Sequence, residues 1–93
     1  MKVSGAQVTA ARDLLRITQV ELADAAEVSY RSVLKFESGE AELRPSTLQK
    51  ILAELERRGI EFTNGTGIGV RLNFEKAAQY SRSVAQARNE ADR

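Results

Sequence analysis

The stretch Thr18 to Gly39, TQVELADAAEVSYRSVLKFESG, constrains this chain more than any other. Thr18, with Glu21 three residues on, has the form of a capping box and predicts a helix start. Leu22, Ala23 and Ala26 then recur at helical spacing as an inward stripe. Val28 follows a break. Ser29 is placed to cap a second helix whose inward residues are Val33 and Phe36, and Gly39 is a C-terminal stop for it. Tyr30, Arg31, Ser32 and Lys35 fall on the outer face of that second helix, where packing does not require them.

Two short helices meeting steeply across a turn, the second with a polar outer face, form a helix-turn-helix arrangement. At this point the chain resembles the phage-repressor, Cro-like (XRE-type) helix-turn-helix family of bacterial and phage transcription regulators. The resemblance rests on Gln19 at the start of the pattern, on small Ala23 where the helices cross, and on apolar Leu22, Val28, Val33 and Phe36. It also rests on the ending FESGE, Phe36 to Glu40, and on the tail GIEFTNGTGIGVRL, so that it covers Ala10 to Leu72. Glu27 stands where the family usually has Gly. If the φ angle there is positive, a residue with a Cβ costs about 1 kcal/mol.

The resemblance implies a mainly α, lambda-repressor-like bundle of four helices over residues 5–59. The sequence adds a short β-hairpin over 60–72 and a weak C-terminal helix or partly disordered tail over 73–93. Met1 to Ser4 reads as a short flexible arm. Gly5 to Arg16 reads as the first helix, with Val8, Ala11, Leu14 and Leu15 as its buried face. Glu40 to Arg44 is a polar loop, and Pro45 lies either just before the next helix or in its first turn. Thr47 to Arg58 places Leu48, Ile51, Leu52 and Leu55 on one face and Gln49, Lys50, Glu54 and Arg57 on the other, with Gly59 ending the helix. Ile60, Phe62, Val70 and Leu72 alternate with polar residues and predict two strands around the Gly-rich turn 64–69. A hairpin alone is marginal in water, so it must pack on the helices or pair with a second subunit's strand. Ala77, Tyr80, Val84, Ala87 and Ala91 outline a sparse apolar stripe in the tail.

Composition narrows the function classes. The chain has 93 residues, 42% of them hydrophobic, with no Cys and no His. One domain with a modest core is expected. No apolar run approaches the ~20 residues of a membrane span, and MKVSGAQ does not resemble a signal peptide. A cytoplasmic, nucleoid-associated protein is expected. Without His or Cys there is no metal-ligand cluster and no credible nucleophile–base pair, so neither an enzyme nor a cofactor is expected. GTGIG lacks the Lys-Ser/Thr of a phosphate-binding loop and leads into a strand, which makes it a turn. Residues 1–59 carry nine basic and nine acidic side chains, so distribution rather than net charge decides what they bind. Arg31, Lys35 and Arg44 lie on or beside the outer face of the second helix, and binding to DNA is expected to be moderate and salt-dependent.

Base reading in the major groove falls to Tyr30, Arg31 and Lys35. Arg31 has the guanidinium that donates twice to guanine O6 and N7. Lys35 reaches a guanine or a phosphate, and Tyr30 a thymine methyl or a phosphate. Ser29 and Ser32 are short and suit capping or backbone phosphate. The resemblance gives Gln19 a phosphate bond and a bracing role, with Thr18 beside it at a helix N-terminus. Arg44, Ser46 and Thr47 are expected to clamp a second phosphate. The resemblance also pairs Arg12 with Glu37, tying the first helix to the third. The expected protein is a sequence-specific regulator, a repressor binding double-stranded DNA as a homodimer at an inverted repeat. The alternative is a protein-interaction module, such as an antitoxin or mobile-element control protein, using residues 60–93 to hold a protein partner.

Overall fold

The computed structural model describes residues 2–91; the expectations for Met1, for the Ala91 side chain and for residues 92–93 lie outside what it describes. Five helices and one hairpin follow in order: α1 (Gly5–Leu15), α2 (Gln19–Ala26), α3 (Tyr30–Ser38), α4 (Pro45–Arg57), β1 (Ile60–Thr63), β2 (Gly69–Leu72) and α5 (Phe74–Ala91). α1 packs on α3 and β2, α2 on α3 and α4, and α4 on β1 and α5. Val8, Ala11, Leu22, Ala23, Val33, Ile51, Leu55 and Ile60 form one core to which both the helices and the hairpin contribute.

The local signals explain most helix ends. Thr18 Oγ1 accepts from the Glu21 N–H and Glu21 returns the bond to the Thr18 N–H, each at 3.0 Å. Ser29 caps α3, and Gly39 ends it at φ +81°. Pro45 is the first residue of α4, where its missing N–H costs nothing. Arg16 and Glu27 end α1 and α2 in the left-handed region, both at φ +58°. The turn between α2 and α3 therefore keeps the geometry a Gly would adopt. It does so with Glu27, at a cost of about 1 kcal/mol.

Three expectations are corrected. The N-terminal arm is not free: Val3 is 1% exposed and belongs to the core. Ser4 caps α1 through a reciprocal bond with Gln7. Val3 before the cap and Val8 at the fourth helical residue stand at the two positions of a hydrophobic staple, and both are buried. Leu14, expected in the core, is 45% exposed. It lies two turns along the same row as Gln7, beyond the point where the hairpin turn covers that flank. Glu54, expected on the polar face of α4, is buried and held by Arg57 Nη2 at 2.9 Å and Arg58 Nε at 2.6 Å. The expected C-terminal helix is present and runs from Phe74 to Ala91. Its first turns are fastened, since the Tyr80 ring lies 4.9 Å from the Arg57 guanidinium and 5.0 Å from that of Arg58. Ala87, further along, is exposed.

Two close approaches need glycine. A Cβ on Gly5 would fall 2.1 Å from the Phe36 carbonyl oxygen, so α1 starts in backbone contact with α3. Gly59 has φ +109°, and a Cβ there would meet the Ala77 nitrogen at 2.9 Å. The hairpin is antiparallel, with Ile60 opposite Leu72 and Phe62 opposite Val70. Its turn is tied down by a residue that hydrophobic patterning overlooks. Buried Gln7 donates from Nε2 to the Thr63 carbonyl (3.2 Å), Asn64 Oδ1 (2.9 Å) and the Gly69 carbonyl (3.1 Å).

Candidate nucleic-acid interface

α3 turns one stripe, Val33 and Phe36, toward the core and exposes Tyr30, Arg31, Leu34 and Lys35. Two rows result from the four-residue helical repeat, Arg31 with Lys35 and Tyr30 with Leu34. Neither Arg31 nor Lys35 takes part in a salt bridge among the described residues. A guanidinium and an ammonium left unpaired on a helix face are available as donors to an external acceptor. Leu34 (41% exposed) was missed in the sequence reading. Its signal was its position one turn after Tyr30.

Ser29 and Ser32 are engaged within the chain. Ser29 Oγ accepts from the Ser32 N–H at 3.0 Å, and the two hydroxyls lie 2.8 Å apart. Together with Arg31 and Lys35 they border a shallow groove closed on its other side by Ala41, Glu42 and Leu43. Glu42, an acid beside this face, is paired with Lys2 at 3.2 Å.

Behind the exposed face lies a buried polar brace. Arg12 donates from Nε to Glu37 Oε2 at 2.8 Å and from Nη2 to Glu37 Oε1 at 2.7 Å. Thr9 Oγ1 and Gln19 Nε2 donate to the same Oε1 at 2.9 and 3.2 Å. Arg12 also reaches the Ile17 carbonyl at 3.1 Å. The structure thus brings together Arg12, Gln19 and Glu37 from α1, α2 and α3. Thr9 completes the group and was not anticipated. Burial pushes the Glu37 carboxyl up, but hydrogen bonds from Arg12, Thr9 and Gln19 outweigh it and hold the acid below its ordinary range. The hydrogen bond to Glu37 likewise raises Arg12.

Helix N-termini flank α3. Thr18 and Gln19 open α2. At α4, Arg44 occupies the cap position without a side-chain cap bond, leaving the first-turn N–H groups of Ser46 and Thr47 to be satisfied from outside the helix. Arg44 and Ser46 are exposed and Thr47 is half-buried. Such a terminus favours an anion. Among the described residues no group of His, Cys, Asp and Glu is arranged to hold a metal ion, and no helix is long and apolar enough to cross a membrane.

Comparison with known proteins agrees with this geometry. A helix-turn-helix family model matches residues 8–62, which takes in all of α2, α3 and α4 and most of α1 and β1. No curated protein matches the chain. The matched span, the capped α2–α3 turn and the braced outer face of α3 lead to one assignment: this chain belongs to the Cro-like, XRE-type helix-turn-helix family and is a DNA-binding transcription regulator.

Proposed function

We propose that the protein is a repressor that binds an inverted-repeat operator as a homodimer, with α3 of each subunit in the major groove. The observation that carries this reading is the exposed pair Arg31 and Lys35, on a helix whose opposite side is locked by the Arg12–Glu37–Gln19 brace. Arg31 takes guanine O6 and N7, Lys35 a guanine or a phosphate, and Tyr30 a thymine methyl or a phosphate. Thr18 and Gln19 hold one phosphate at the start of α2, and Arg44, Ser46 and Thr47 hold another at the start of α4. Ser29 and Ser32 keep their capping bonds and touch backbone only. One such unit reads a few base pairs, and two supply the affinity and selectivity of an operator.

Selection of bound genomic fragments, followed by gel shifts at two salt concentrations, tests the reading. Arg31→Ala should lose about 1–3 kcal/mol on the selected site and relax base choice at one position. Gln19→Ala and Arg44→Ala should weaken all sequences alike. Unchanged affinity and preference in Arg31→Ala would remove α3 from the reading head. A second reading, a partner-binding role for residues 60–93 as in an antitoxin or mobile-element control protein, draws support from the exposed distal half of α5. Salt-labile, sequence-blind binding would favour it.

A further inference from the structure

The outer edge of the hairpin carries more than its packing needs. Asn73 donates its N–H to the Gly59 carbonyl at 2.8 Å, one step beyond the Ile60–Leu72 pair. Bonded and non-bonded pairs alternate along an antiparallel ladder. Glu61–Arg71 and Thr63–Gly69 are therefore the bonded pairs. The N–H and C=O groups of Val70 and Leu72 point away from β1, and none of the side-chain or loop hydrogen bonds among the described residues reaches them. Exposed edges are normally blunted by Lys, Pro or a bulge. This one runs Ile68, Gly69, Val70, Arg71, Leu72, and its single charge is already paired with Glu61 across the hairpin. Beside the edge, Ala6 and Ala10 of α1 border a recess with Ile68 and Val70. Leu14 extends the Ala6–Ala10 row by one more turn. Ile68 is 61% and Leu14 45% exposed.

We infer that a second copy of this chain pairs along β2, antiparallel, in the register that sets Val70 opposite the partner subunit's Val70. The inference rests on the dimeric reading above and supplies its surface. A two-fold centre on Arg71 would set like charges opposite each other, and one on Gly69 would carry Leu72 against the partner subunit's turn 64–69, which leaves Val70 and Leu72. Centring on Leu72 would oppose Val70 to Phe74, which is already helical. Centring on Val70 sets Leu72 opposite the partner subunit's Ile68, so that each pair exchanges its free N–H and C=O groups. It also sets Arg71 opposite the partner subunit's Gly69, so no like charges meet. The side chains of positions 68, 70 and 72 share one face in both subunits, where Val70 and Leu72 already pack against the core, so the added strand continues that apolar layer. The Ala6–Ala10–Leu14 row of each subunit lies beside the added strand. The edge is self-complementary, as a two-fold interface requires.

The absence of cysteine makes the register directly testable in the full chain. Light scattering over a wide concentration range should give two chains per particle. Val70→Cys treated with a short bismaleimide should run as a cross-linked dimer, whereas Ala87→Cys on the distal half of α5 should not. Leu14→Lys combined with Ile68→Lys, both at exposed positions, should halve the particle mass with the helical circular dichroism unchanged. A monomeric wild type, a dimer linked through Ala87→Cys and not Val70→Cys, or a dimer indifferent to the two lysines would each overturn the inference. None of these results touches the Arg31→Ala gel shift, which decides the DNA-binding reading separately.

Discussion

The Glu37 site and the Glu61 site are both carboxylates held by cations, yet they do opposite work. Glu37 is 5% and its partner Arg12 14% exposed at the side chain, and four donor groups from three residues converge on the acid across three helices. Glu61 pairs with Arg71 and Lys76 on the open face of the hairpin, where Arg71 is 70% exposed. The first pair is expensive to break, because losing one partner leaves a buried charge alone. The second is screened by water and salt. The role proposed for α3, presenting side chains to base edges, calls for the rigid kind of brace. The hairpin's exposed pair adds little to holding its strands together.

The largest expected effect is at the buried pair. Glu37→Ala should destabilise the fold by about 3–5 kcal/mol, read by urea denaturation, because Arg12 is left without its partner. Glu61→Ala should leave the denaturation midpoint nearly in place, and a comparable loss at both sites would erase the contrast. Acid provides a second probe. Glu37 is held below the ordinary carboxylate range in the folded state, so the unfolded chain takes up its proton first as pH falls. Its contribution is complete above the ordinary value of about 4.3 and is lost as pH falls through the lowered one. Thermal melting of Glu37→Gln should show a shallower loss below that pH than wild type. The residual slope includes Glu61, whose carboxyl is lowered by hydrogen bonds from Arg71 and Lys76.

Smaller still is the turn. Glu27→Gly should raise stability by up to about 1 kcal/mol, since the residue sits at φ +58° with no need of its Cβ. A loss instead would mean that the Glu27 side chain contributes more than its backbone strain costs. Least of all is expected from removing the residues after Ser83, which should leave the melting temperature and the DNA affinity of the helical unit unchanged. A large loss would place the distal half of α5 in the functional core.

What was legible in the sequence was local. Thr18 with Glu21, Ser29, Gly39 and Pro45 each announce a helix end through bonds or dihedral limits set within four residues, and all four do so in the structure. The alternation of Ile60, Phe62, Val70 and Leu72 marked the strands for the same reason, since a two-residue period needs no distant information. The outward positions of Tyr30, Arg31 and Lys35 followed from helical spacing once the inward stripe was known. Arg12 and Glu37, twenty-five residues apart, were paired only through the family resemblance.

Tertiary structure alone decided the rest. Gln7 is a polar residue in an amphipathic pattern, and nothing near it in the chain says that it will be buried under a turn sixty-two residues away. Leu14 is an apolar residue at a fitting spacing, and it is exposed because the hairpin cover ends before its turn of α1. Val3 and Glu54 changed sides for the same cause: burial is set by which element arrives from elsewhere, and arrival is a property of the whole packing. The sequence by itself determined the elements, their caps and the outward face of α3, because each is fixed by neighbouring residues. The packed structure decided which side chains brace that face and which strand edge is left open, because those depend on contacts between segments distant in the chain.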